Sequence, residues 1–179
     1  QDEVLEYFGK RVVRVGPRTE AGDTFVIEIL DENPMELLHR IGAMPLPPYI
    51  RSSLTDLERY QTVYARRMAS AAAPTAGLHF TPELMARIVA KGVVVETVEL
   101  VVGLDTFKPI STDDPLDHLI HSEFYSVEQR VMDACEQAKR VIAIGTTATR
   151  ALESVAASGQ LTGRTSLFIT PGFQWKVVD

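Results

Sequence analysis

Three prolines within four positions, Pro45-Leu46-Pro47-Pro48, divide this chain of 179 residues. Proline lacks an amide hydrogen and fixes φ, so neither a helix nor a central strand runs through it. The run continues into Tyr49 and predicts an extended connector. We place a domain boundary there, with residues 1–44 before it and 45–179 after it.

The two sides differ in texture. On the N-terminal side, residues 11–15 and 24–30 are rich in β-formers. The Gly-Pro and Gly-Asp pairs between them predict a loop joining paired strands. Residues 34–41 predict a short helix, with Asn33 as cap, Pro34 in the first turn and Gly42 as terminator. On the C-terminal side, helix and strand patterns alternate. Thr55-Asp56-Leu57-Glu58 has the form of a capping box and predicts a helix to about residue 68. Thr81-Pro82-Glu83 opens another, closed by Gly92. The β-branched run 93–102 predicts a buried strand. Ser126 to Gln129 is a second capping box, predicting a helix to about residue 140. Residues 141–144 predict a strand, 146–157 a helix ended near Gly159, and 166–170 and 175–178 further strands around Pro171-Gly172. This alternation predicts an α/β domain whose mostly parallel or mixed sheet is flanked by helices.

Composition narrows the function. No apolar run reaches the roughly 18 residues that a membrane span requires. Cys135 is the only cysteine, which excludes an internal disulfide and a zinc site built on cysteines. A cytoplasmic protein is the expectation. Net charge is −6, so bulk charge does not drive nucleic-acid binding. The charges are uneven: residues 51–67 carry four arginines against two acids, and 137–179 five bases against two acids. A polyanion would meet those stretches first, but on charge alone ordinary surface mixing is the better account, since a binding domain usually shows a plainly basic face.

Four segments have the residue types for chemistry. In Ala71-Ala72-Ala73-Pro74-Thr75-Ala76-Gly77-Leu78-His79-Phe80, small residues permit close backbone approach to a ligand, with His79 above it. The same segment also suits a tight connection with a packed histidine. His118, His121 and Glu123 can supply a histidine oriented by a carboxylate for proton transfer. They can also supply up to three metal ligands, or two surface histidines before a strand. In Ile144-Gly145-Thr146-Thr147 with Arg150, a strand leads through glycine into a helix start. Free N–H groups there and two hydroxyls suit a carboxylate or phosphate. An ordinary threonine cap is the alternative. Thr170-Pro171-Gly172-Phe173-Gln174-Trp175 forms either a pocket lip with stacking aromatics or a plain hairpin.

These segments, with Met44-Pro45-Leu46-Pro47-Pro48-Tyr49-Ile50, Tyr60-Gln61-Thr62-Val63-Tyr64 and Lys176-Val177-Val178-Asp179, share one resemblance. In order and wording they resemble the S-adenosylmethionine:tRNA ribosyltransferase-isomerases of queuosine biosynthesis, over about residues 34 to 179. The resemblance implies an α/β domain with an inserted β-barrel, residues 1–44 being the barrel's end and 45–179 an incomplete catalytic domain. It implies a fragment, since the family carries further sequence on both sides. Val101, Asp105 and Met68-Ala69 stand where the family often has His, Gly and Pro-Gly.

The implied reaction moves the ribosyl group of S-adenosylmethionine to an aminomethyl-deazaguanine base in tRNA. Isomerisation gives epoxyqueuosine, and adenine and methionine leave. The sulfonium acidifies the adjacent ribose carbon, so a base is needed there. His121 is the expected base, with Glu123 or His118 fixing its tautomer and His79 as second choice. Gly145, Thr146, Thr147 and Arg150 are expected to cradle the methionyl carboxylate. Thr75, Gly77, Pro171, Gly172 and Phe173 are expected to line the substrate site. Arg59, Arg66 and Arg67, on the expected 56–68 helix, are expected to meet tRNA phosphates. S-adenosylmethionine is a co-substrate, and neither cofactor nor metal is expected. A metal-dependent hydrolase built on His118, His121 and Glu123, and a non-catalytic RNA-binding fragment, are the competing readings.

Overall fold

The computed structural model describes residues 3–19, 24–43, 46–47, 50, 56–103, 106, 113–114, 120 and 122–179. The chain divides into two units, residues 1–44 and 45–179.

In the first unit, β1 (Glu3–Tyr7), β2 (Lys10–Arg18) and β3 (Phe25–Ile29) form an antiparallel meander in that order. Val13 stands opposite Ile29 and Val15 opposite Ile27, so the β-branched residues of both strands share a face. Ion pairs Lys10–Asp31 and Arg14–Glu28 lie on the exposed surface. Helix α1 (Pro34–Ile41) follows, and its Leu37, with Val12, is buried. Asn33 occupies the cap position but makes no side-chain cap bond. The expected barrel is not closed among the described residues. Three strands form an open sheet, whereas closure needs a longer staggered set of strands.

In the second unit, β4 (Glu99–Val101), β5 (Glu123–Ser126) and β6 (Thr162–Thr165) form a sheet in that order, and both pairings are antiparallel. Helices α2 (Pro82–Ala90), α3 (Gln129–Gln137) and α4 (Gly145–Ser158) complete it. Leu100, Tyr125, Val127, Val131, Ala151, Leu152 and Val155 form the buried core, flanked by Val98, Val102, Val141, Ala143, Val177 and Val178. The class is α/β, but a parallel or mixed sheet is not found among the described residues.

The reason lies in the segments expected as parallel strands. Residues 141–144 alternate correctly, Val141 and Ala143 packing on the core while Ile142 is exposed. Their position is fixed by Asp179, however: Val141 O accepts the Asp179 N–H at 3.1 Å, and the Asp179 carboxylate accepts the Val141 N–H at 2.7 Å. The N–H groups of residues 176–178 are taken by a side chain, Glu153, in place of a neighbouring strand. Of the 93–102 run only residues 99–101 join a ladder.

Two capping-box expectations also change. Ser126 ends β5, its hydroxyl 3.2 Å from that of Thr162, and α3 begins three residues later. The expected 56–68 helix is a single 3₁₀ turn, Leu57–Tyr60, in which the Asp56 side chain accepts the Glu58 N–H. Tyr60 and Thr62 are both buried, and a further turn follows in which the Ala65 N–H donates to Thr62 O at 3.0 Å. Beyond it, Ala71 donates to Val102 O at 2.8 Å, while Ser70 Oγ donates to Leu100 O and accepts the Val102 N–H. Residues 70–71 thereby cover the edge of β4.

Tyr125 links the sheet to the end of α4. Its buried hydroxyl donates to Gln160 O at 3.0 Å and lies 2.9 Å from Ser158 Oγ. Tyr125→Phe keeps the ring and deletes these bonds. It should lower stability by about 0.5 to 1.5 kcal/mol in urea unfolding, the net contribution of a hydrogen bond whose partners can turn to water. An unchanged midpoint would show that the hydroxyl does not tie the two elements.

Candidate functional site

Helix α4 begins at Gly145, whose φ is +88°. An L side chain is strained there, and a Cβ at this position would stand 3.1 Å from Ala76 Cβ. The glycine thus lets the helix start rest on the 3₁₀ turn Thr75–His79. That turn rests in turn on residues 62–64. Gly77 is buried, and a Cβ on it would overlap the Tyr64 hydroxyl and lie 3.0 Å from Thr62 Cγ2. Burial pushes the Tyr64 phenol up, a hydrogen bond with Thr62 opposing it. Three sequence-distant segments therefore stack in order, 62–64, 75–79 and 145–150.

The start of α4 carries no side-chain cap. Its first N–H groups have no carbonyl within the helix to bond, and the helix dipole adds partial positive charge. Thr146 is exposed and Thr147 half-buried, while Thr149 Oγ1 donates back to Gly145 O at 3.0 Å. Thr75 and His79 are exposed at the neighbouring turn. Chemically, this arrangement suits an anionic group placed at the helix start.

Arg150, expected in the carboxylate cradle, is bonded to neighbouring protein groups. Its Nη1 donates to Glu123 Oε2 at 2.5 Å and its Nη2 to Thr165 O at 3.1 Å. The two side chains are only 18% and 13% exposed, so the pair is largely desolvated and neutral as a unit. Thr165 is itself buried, its hydroxyl accepting from Ser154 Oγ at 2.6 Å and from the Leu167 N–H. Glu123, expected with His118 as one of two alternatives for orienting His121, binds Arg150 through Oε2. His118 and His121 lie outside the described residues.

Pro171 and Gly172 are exposed in a turn closed by Phe173 N–H donating to Thr170 O. Phe173 meets Trp175 edge-on, with centroids 5.0 Å apart. Of the expected tRNA arginines, Arg59 and Arg66 are exposed and Arg67 pairs with Glu99 at 2.8 Å. Arg66 lies close enough to Glu128 to help lower that carboxyl, after the larger effect of Arg130. With no helix over 56–68, the three arginines do not share a helical face. Cys135 is half-buried, and burial pushes its thiol up, which disfavours the reactive thiolate.

Sequence reading missed Glu153, Thr165 and Tyr64. Glu153 had a visible signal, being the one acid in the otherwise uncharged run 145–158 apart from the basic Arg150. Tyr64 stood in the Tyr60–Tyr64 motif without an assigned role, and Thr165 carried no signal, since its role depends on distant partners.

The family model described as "Queuosine biosynthesis protein" matches residues 2–179. The chain belongs to this family. It is 46% identical over 187 aligned positions to the S-adenosylmethionine:tRNA ribosyltransferase-isomerase of Desulforamulus reducens, an alignment covering 99% of this chain and 54% of that relative. It is 49% identical to the protein of the same name from Acaryochloris marina, covering 88% of this chain and 45% of the relative. The one from Desulfitobacterium hafniense is 44% identical, with 94% and 58% covered. The chain spans about half the length of these curated relatives. No solved structure matches it.

The Glu123–Arg150 pair generates a direct test. Arg150→Met leaves a buried carboxylate without its guanidinium and should cost about 3 kcal/mol in chemical denaturation. Adding Glu123→Gln should recover part of that loss, with a coupling of about 1 to 3 kcal/mol. Strictly additive losses would show that the two groups do not depend on each other.

Proposed function

We propose that this chain forms part of an enzyme that transfers the ribosyl group of S-adenosylmethionine to an aminomethyl-deazaguanine base in tRNA. The ribose is isomerised to give epoxyqueuosine, and adenine and methionine are released. The observation that carries this reading is the contact between Gly145 and Ala76. It joins two motifs far apart in sequence at one helix start suited to a carboxylate. The names of the relatives support S-adenosylmethionine and tRNA as the substrates.

In this reading the methionyl carboxylate lies at the start of α4, bonded by its N–H groups and by Thr146 and Thr147. Arg150 acts from the next turn, held in place by Glu123 and the Thr165 carbonyl. Thr75 and Gly77 shape the adjoining wall. Pro171, Gly172 and Phe173, with Trp175, form an aromatic lip for the adenine or the tRNA base. His121 removes the proton from the ribose carbon beside the sulfonium, giving an ylide. Glu123 or His118 fixes its tautomer, and His79 is the second candidate for proton transfer. The amine of the tRNA base serves as nucleophile, so no covalent enzyme intermediate forms. The sulfonium supplies both acidity and leaving group, and the reaction needs neither metal nor redox cofactor.

Arg59 and Arg66, both exposed, bind tRNA phosphates; Arg67 contributes less because Glu99 offsets its charge. The sheet of residues 3–29 is the end of a barrel domain, and residues 45–179 belong to a larger catalytic domain with further strands. The enzyme acts in the cytoplasm. No helix among the described residues is long and apolar enough to cross a membrane, which is compatible with that setting.

The test is turnover by the complete protein with S-adenosylmethionine and precursor-bearing tRNA, following adenine release and epoxyqueuosine formation. His121→Ala should lower kcat by about a hundredfold or more while leaving S-adenosylmethionine affinity nearly intact. A variant with full turnover would remove His121 as the base. A wild-type protein that binds tRNA and forms no product would favour a non-catalytic RNA-binding role.

A further inference from the structure

Glu153 is fully buried in the middle of α4, between Leu152 and Ser154. A carboxylate in such a place is costly unless its oxygens are bonded. Both are. Oε1 accepts the N–H groups of Val177 and Val178, each at 2.9 Å, and that of Lys176 at 3.3 Å; Oε2 accepts the Lys176 N–H at 3.1 Å. Three successive backbone donors converge on one side chain, a geometry that fixes the path of the chain carrying them.

That path includes the aromatic lip. Upstream, the same helix holds Thr165, whose carbonyl accepts from Arg150 and whose hydroxyl accepts from Ser154. Downstream, Glu153 holds residues 176–178. The intervening residues 166–175 contain Pro171-Gly172-Phe173 and Trp175, clamped at both ends to α4. The start of that helix is the proposed carboxylate site. One rigid element therefore sets the lip and the carboxylate cradle in a common frame.

We infer that Glu153 is a positioning residue: by gripping the amides of residues 176–178 it holds the Phe173–Trp175 lip at the distance from the α4 start that S-adenosylmethionine requires. The inference rests on the reading of that region as the S-adenosylmethionine site. It assigns Glu153 no contact with substrate.

The test combines site-resolved amide exchange with S-adenosylmethionine binding and turnover in the complete protein. Glu153→Ala should speed exchange at Lys176, Val177 and Val178 by about tenfold or more, the equivalent of one charge-assisted hydrogen bond. Glu153→Gln keeps one acceptor oxygen, so Val177 and Val178 should stay protected while Lys176 exchanges faster. Leu152→Ala, a cavity beside Glu153, is the control for general loosening; it should speed exchange along the whole of α4 without singling out residues 176–178. With these local changes, KM for S-adenosylmethionine should rise about tenfold in Glu153→Ala and less in Glu153→Gln, with kcat retained. Unchanged exchange at residues 176–178 in Glu153→Ala would overturn the inference. So would fast local exchange with an unchanged KM. A wild-type protein that does not bind S-adenosylmethionine would instead fail the functional reading, and the exchange result would still report whether Glu153 anchors the segment.

Discussion

Five consecutive residues of α4, Ala151 to Val155, are buried. Five residues exceed one turn, so this stretch of helix is enclosed on every side. Each polar group within it has to find a partner in the surrounding chain, and those partners are what organise the second unit. Ser154 takes Thr165 at the end of β6. Glu153 takes the backbone of residues 176–178. One turn earlier, Arg150 takes Glu123 at the start of β5. The sheet, the C-terminal segment and the site-bearing loops are thereby referred to one helix.

The enclosure also decides the electrostatics of the site. Arg150 is too deeply placed to stand without a counter-charge, and Glu123 supplies one. The positive character left at the mouth of the site is that of the α4 start, whose first N–H groups have no carbonyl partner within the helix, beside the hydroxyls of Thr146 and Thr147. Such a site suits a carboxylate held by directional hydrogen bonds rather than by an exposed ion pair. The close approach of the 75–79 turn, permitted by Gly145 and Gly77, gives it a second wall.

Local signals in the sequence were good guides where the physics was local. Thr81 caps α2 by accepting the Leu84 N–H, Pro34 sits in the first turn of α1, and α4 runs to Ser158 before Gly159. Non-local partners overrode local signals elsewhere. The Thr55–Glu58 pattern gave one 3₁₀ turn, because the chain that follows buries Tyr60 and Thr62 and is then held at residues 70–71 by β4. The strand expected over 175–178 does not form; the chain bends at residues 176–177, and the amides of residues 176–178 go to Glu153 in place of a neighbouring strand. The motif residues of the candidate site were readable one segment at a time. Their convergence was not, because the Ala76–Gly145 and Gly77–Tyr64 contacts join residues far apart in the chain. Glu123 and Arg150 were each readable as charged site candidates, while their pairing depends on how α4 packs beside β5.

The central claim is that the start of α4 is where the carboxylate of S-adenosylmethionine is bound. A crystal structure of the complete protein with S-adenosylmethionine tests it most directly. The account predicts the methionyl carboxylate at the helix start, with oxygens about 2.7–3.2 Å from N–H groups of residues 145–148. It also predicts the 75–79 turn alongside. A carboxylate bound by other residues, with the α4 start facing solvent, would contradict it.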